Sequence, residues 1–312
     1  MMAWARLFRL ALAPTVAWDA IAGFLVADVL IQRVLAVPRQ AFEAGPTMSS
    51  FEWAGSTLAI TCGILLCIFH SGMGLNDWAD RNIDLAANRK RPIPLGQIKP
   101  QAVIPAVFML LAGAAVSAFL YFPEPNWIYS LIALVLAYDL CGSTLRSGIG
   151  PLLLALCRSL SFSCGMLVLL SPAALAGSPA PWAIAAYALY VLFLARLAAK
   201  EEDGGQGLNM LPFVALMCLS PFPLTQIPSA NSLWLHLAWL GLAAWHLWPA
   251  LPDRHQYWDP QRVQAAVRRS LVAMPVLPAM ALLAVGAPPW WSLFGLAVAA
   301  VTVTLARSMA PE

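Results

Sequence analysis

Long apolar runs joined by short polar links dominate this chain. Ten runs follow one another: Leu10–Leu30, Ala54–Met73, Gln101–Phe122, Trp127–Leu140, Ile149–Leu170, Pro181–Ala199, Leu208–Leu224, Leu233–Leu251, Ser270–Val285 and Pro289–Ala306. A helix needs about 20 apolar residues to cross the hydrocarbon core of a bilayer. Several runs are shorter than that or carry Pro, so the pattern predicts an all-α polytopic transmembrane bundle of nine or ten helices. Gly and Pro mark the joints, as in FPEPN (Phe122–Asn126), SPAALAGSPAP (Ser171–Pro181) and Pro288-Pro289. Tight joints argue for a single integral membrane domain over residues 1–312, with no soluble appendage. The first apolar stretch continues into Gly23–Leu35 without a small-residue cleavage site, so no cleavable signal peptide is expected.

Composition agrees with the pattern. The chain is 61% hydrophobic and 11% charged, with a mean hydropathy of +0.73, where soluble domains carry about 25% charged residues. Its 13 Trp supply interfacial anchors. No basic stripe with interleaved aromatics is present, which argues against nucleic acid as a partner. The six Cys stand singly in or beside apolar runs, without the paired spacing of a zinc site or disulfide framework, and read as small buried hydrophobes.

The net charge of +3 matters through its placement. Arg6 and Arg9 precede the first run. Arg81, Arg89, Lys90, Arg91 and Lys99 follow the second, Arg146 the fourth, Lys200 the sixth, and Arg254, Arg262, Arg268 and Arg269 the eighth. Among the odd-numbered joints, only the first departs, with Arg33 and Arg39. Positive residues stay inside, so the N-terminus and the even-numbered joints are expected in the cytoplasm. Arg307 after the tenth run puts the C-terminus there as well. The joint Pro252–Arg269, with Tyr257 and Trp258, fits the membrane surface or a solvated loop equally well.

Against this background LNDWADRNIDLAANRKRPIPLG (Leu75–Gly96) stands out. Asn76, Asp80 and Asp84 are spaced by four, which places them on one face of a helix. An amide and two carboxylates are hard oxygen donors suited to Mg²⁺, an ion that commonly binds through one or two carboxylates plus substrate phosphates. Asp77 lies beside them. Arg158 is also out of place, because a guanidinium within an apolar run costs at least about 2.5–3.5 kcal/mol on insertion scales. It should face a polar cavity or a partner, either a diphosphate or an acid such as Asp139. Asp19, in the first run, needs an interior partner for the same reason.

The run N-D-x-x-D-x-x-x-D followed by N-R-x-R-P-I-P-x-G resembles the first signature of the UbiA superfamily of intramembrane prenyltransferases. The resemblance implies that Asn76, Asp80 and Asp84, with Asp77, hold Mg²⁺ on a prenyl diphosphate, and that the basic segment with Arg89 and Arg91 covers the site. The family's second acidic motif, after its sixth helix, corresponds here to Ala198-Ala199-Lys200-Glu201-Glu202-Asp203-Gly204-Gly205. Ala199 stands where an acid is expected, leaving Glu202 and Asp203 as its candidate metal ligands. Tyr138 and Arg146 match family positions near the diphosphate, and Arg158 joins Asn76, Asp80 and Asp84 as a catalytic candidate.

What the resemblance implies is a Mg²⁺-dependent transfer of a prenyl group from a prenyl diphosphate to an aromatic or lipophilic acceptor. The site would face the cytoplasm from a cell membrane, such as a bacterial inner membrane. Metal and guanidiniums would neutralise the leaving diphosphate, while Trp and Tyr shield the carbocation-like centre. An alternative is a UbiA-like protein with altered catalysis that binds or moves a lipidic metabolite. DPQRVQAAVRRS (Asp259–Ser270), followed by two apolar runs, is similar in this respect to the UbiA-like member of the bacterial Ebo gene cluster. An unrelated ion or drug carrier would require the first motif to be coincidence.

Overall fold

All ten apolar runs are helical. The computed structural model describes residues 2–33, 50–122, 124–140, 142–228 and 232–308, excluding the side chains at 50–54, 142–147 and 232. Arg39 and the side chain of Arg146 therefore lie outside the described residues. The helices, in chain order, are α1 (Met2–Leu7), α2 (Ala13–Arg33), α3 (Ser50–Ala79), α4 (Arg81–Ala86), α5 (Pro100–Tyr121), α6 (Asn126–Leu140) and α7 (Gly142–Met166). They continue as α8 (Pro172–Gly177), α9 (Ala180–Ala198), α10 (Gly207–Leu219), α11 (Ser232–Ala250), α12 (Pro260–Ala273), α13 (Val276–Ala284) and α14 (Pro289–Ser308). A two-residue antiparallel pair, β1 (Gly205–Gln206) with β2 (Tyr257–Trp258), joins two of the loops.

Among the described residues, eight segments are long and apolar enough to cross a membrane, and α6 is a shorter apolar helix. α11, 19 residues long with four Trp and two His, falls outside these eight; Trp239 in its middle donates to the Cys218 carbonyl at 2.6 Å. The chain is a multi-pass membrane protein.

Two boundaries differ from the sequence expectation. The second span does not end at Met73 but continues to Ala79, so the acidic motif begins within the helix. The ninth starts at Pro260, ten residues before Ser270, because Asp259 caps α12 by accepting from the Arg262 amide at 2.8 Å and Pro260 occupies the first turn. The arginine-bearing α12 then runs into apolar α13, and Pro260–Ala284 forms one 25-residue span.

Apolar burial falls into two large clusters. One gathers α2, α7 and α9 through α13, and the other gathers α2, α3, α5, α6 and α7. α2 and α7 belong to both, and small residues let them meet. A Cβ added at Gly165 would lie 2.0 Å from the Ala20 carbonyl oxygen, and one added at Gly23 would lie 2.2 Å from that of Phe162. Close approach through small residues is how membrane helices gain packing without a hydrophobic driving force. A third, smaller cluster packs α1 against the end of α3 and the start of α5.

Candidate functional site

The first acidic motif occupies the end of α3 and all of α4. The expected single helix is broken at Asp80, whose φ of −84° and ψ of 0° end α3 and begin α4. Its amide still bonds the Asn76 carbonyl at 2.9 Å, and the Asp84 amide bonds the Asp80 carbonyl at 2.8 Å. The four-residue register therefore survives the bend. Asn76 and Asp80 are half-buried, while Asp77 and Asp84 are buried, Asp84 completely.

The basic segment after α4 folds back onto these acids. Arg89 Nη1 donates to Asp84 Oδ1 at 2.8 Å, and Arg91 Nη1 donates to Asp84 Oδ2 at 2.9 Å and to Asp77 Oδ1 at 3.0 Å. Asn88 takes a left-handed φ of 51°, which turns the chain back after α4. A third guanidinium comes from the N-terminal segment. Arg9, with a left-handed φ of 49°, donates to Asp77 at 3.3 Å.

The second motif is joined to the first through Arg89, which pairs with Glu202. Six side chains thus alternate in sign: Arg9, Asp77, Arg91, Asp84, Arg89 and Glu202. Burial pushes Glu201 above the ordinary carboxylate range, and Arg268, Arg89 and Arg9 pull it back. Asp203 is exposed, and its backbone carbonyl accepts from the Tyr257 hydroxyl at 2.6 Å. Gly204 has a φ of 63°, and a Cβ there would lie 2.5 Å from the Trp258 carbonyl oxygen, so the turn into β1 requires glycine.

Deeper in the bundle, the two charges that needed interior partners have found each other. Arg158 Nη2 lies 2.9 Å from Asp19 Oδ2, and Tyr187 bridges them, accepting from Arg158 at 3.0 Å and donating to Asp19 Oδ1 at 2.8 Å. The acid beside Arg158 is thus Asp19 rather than Asp139; Asp139 and Arg158 both line an apolar, partly open cavity of about 70 Å³ among α2, α3, α6 and α7, together with Tyr138. His70 Nδ1 donates to the Phe8 carbonyl, 2.7 Å away, and so fastens the N-terminal segment to α3.

Among the described residues, no three His, Cys, Asp or Glu side chains converge closely enough to hold a metal alone. Magnesium does not require that where phosphate oxygens complete its shell. The donor chemistry at Asn76 and Asp80 fits such an ion, with Asp77 and Asp84 beside it on arginines.

The chain matches the UbiA prenyltransferase family over residues 43–271. It is 34% identical over 83 residues to a 4-hydroxybenzoate octaprenyltransferase of Acinetobacter baylyi (strain ATCC 33305 / BD413 / ADP1), a match spanning 26% of this chain and 28% of that relative. A solved structure concerned with digeranylgeranylglyceryl phosphate synthase in membranes superposes with a TM-score of 0.56 at 13% identity, covering 95% of this chain and 98% of the other. The family match takes in both acidic motifs and the fold is shared almost from end to end: this chain belongs to the UbiA prenyltransferase family.

Proposed function

We propose that the protein transfers a prenyl group from a prenyl diphosphate to an aromatic or lipophilic acceptor, at a Mg²⁺-dependent site facing the cytoplasm from a bacterial inner membrane. The observation that carries this reading is the alternating chain of charges, which brings the first motif, the basic segment and Glu202 to one end of an apolar bundle. The names of the two relatives support a prenyl donor with an aromatic or lipid acceptor, and the pattern of basic joints supports the orientation.

Magnesium held by Asn76 and Asp80, with Asp77, Asp84, Glu202 and Asp203 as further acids within the two motifs, would neutralise charge on the leaving diphosphate. Asp84 holds Arg89 and Arg91 by both of its oxygens, so those guanidiniums stand ready for diphosphate oxygens at little cost in side-chain ordering. Arg146 is assigned to the same diphosphate by its family position. As the allylic C–O bond breaks, the electron pair leaves with the diphosphate. The acceptor supplies the pair for the new bond and then loses a proton. Tyr138 and the apolar wall of the cavity exclude water from the cationic carbon. Arg158 shapes that wall, since Asp19 and Tyr187 already hold its Nη2.

A second reading has its own support: Ala199 replaces an acid of the second motif, which favours a protein that binds a prenylated metabolite without turning it over. Purified protein with Mg²⁺, a panel of prenyl diphosphates and candidate acceptors separates the two. Diphosphate release that is lost in Asp80→Ala and Asp84→Ala supports the enzyme; binding without release under every pairing supports the carrier.

A further inference from the structure

Away from the acidic motifs, an open groove of about 760 Å³ lies between the end of α11 and the start of α12, lined by Trp248, Asp253, Tyr257, Asp259, Arg262 and Arg269. Arg262 and Arg269 are seven residues apart, two helical turns, and so share the groove-facing side of α12. Both carboxylates in the groove are already engaged. Asp253 is paired with Arg262, and Asp259 caps α12. Arg269 differs: among the described residues its side-chain bond is from Nε to the Ala265 carbonyl, at 3.4 Å, leaving its terminal N–H groups to the groove. The two carboxylates balance the two guanidiniums in number, but Asp253 lies on Arg262 and Asp259 on the α12 amide, so the charge left open to the groove is that of Arg269.

The apolar side of the groove says which anion. Trp248 is 83% exposed and Trp245 49% exposed, and below them α11 exposes Leu240, Leu237 and Leu233 in one stripe. Tryptophans at the end of such a stripe sit at the level of lipid headgroups. α12 enters the same span with its polar turns first, which sets the arginines at that level too. We infer that this groove binds an anionic glycerophospholipid, with the headgroup phosphate on Arg269, Trp248 against the glycerol, and an acyl chain along the α11 stripe.

The test is native mass spectrometry of the full chain in mild detergent, with equal phosphatidylglycerol and phosphatidylcholine added. Wild type should retain phosphatidylglycerol in preference, by roughly fivefold per arginine engaged. Arg269→Gln should lower that preference, Arg269→Lys should keep part of it, and Trp248→Ala should weaken retention of both lipids. Equal retention of the two lipids by wild type, or an unchanged preference in an Arg269→Gln protein that elutes and melts like the parent, overturns the inference. Displacement of phosphatidylglycerol by millimolar inorganic phosphate also overturns it, because the site would then be one for the free anion.

Discussion

Removing one half of the Asp19–Arg158 pair should be far more damaging than removing both. Both side chains are buried, and Tyr187 closes a three-membered network around them. Asp19→Leu strands a guanidinium that cannot shed its charge, and breaking a buried pair in this way costs about 3–5 kcal/mol. Arg158→Leu leaves an acid that can take up a proton and keep its bond to Tyr187, so a cost of about 1–3 kcal/mol is expected, that of an imperfectly satisfied polar group. If the effects were independent, the double variant would lose about 4–8 kcal/mol. Apolar replacements of buried ion pairs are often neutral, so the double variant should instead lie close to wild type. Thermal unfolding in detergent reads this directly, with the Asp19→Leu midpoint falling on the order of 10 °C and the double variant recovering most of it. Turnover should follow stability. Additive losses would refute the network, and a stable double variant without turnover would return Arg158 to the diphosphate.

Gly165→Ala should push α2 from α7 and loosen the same pair, because its new methyl meets backbone rather than a side chain that can rotate; a fall in melting temperature larger than for Gly148→Ala, where the added methyl meets open space, checks this. Glu201 gives a pH dependence of definite sign. Its folded pKa is raised above 4.5, so the folded state holds its proton longer than the unfolded chain, and stability falls as pH rises through that window. Glu201→Gln should therefore gain on wild type as pH climbs past about 4.5 and match it below, as melting curves across pH would show. Gly204→Ala, at a left-handed φ and against the Trp258 carbonyl, should lower turnover by displacing Glu202 from Arg89, with diphosphate release as the readout.

How much of this was legible in the sequence depends on distance along the chain. The spans were legible because apolar runs are contiguous, and the first motif because its spacing of four is a local geometric fact. The start of the ninth span was not, since six of the 14 residues of α12 are polar and the segment looks like a loop until its cap at Asp259 is seen. Arg158 and Asp19 each announced the need for a partner, yet nothing local pairs them, and the bridging Tyr187 lies 168 residues from Asp19. Arg9 was hidden more thoroughly. It counted as one more positive charge at a span end, and only its left-handed backbone turns it toward Asp77. The bend at Asp80 was invisible because the spacing of four continues across it, with two main-chain bonds still joining Asn76, Asp80 and Asp84.

The small strand pair has a consequence for how this end of the protein breathes. Gly205 and Gln206 are laddered to Trp258 and Tyr257, Tyr257 also holds the Asp203 carbonyl, and the Gly207 amide bonds the Gln256 carbonyl at 2.9 Å. The loop bearing Glu202 and the loop leading into α12 are thus stitched by main-chain bonds, which break together or not at all. Local opening should be a single cooperative event with one free energy. Amide protons on both sides of the ladder, though about fifty residues apart in sequence, should then exchange with solvent at a common rate set by that event.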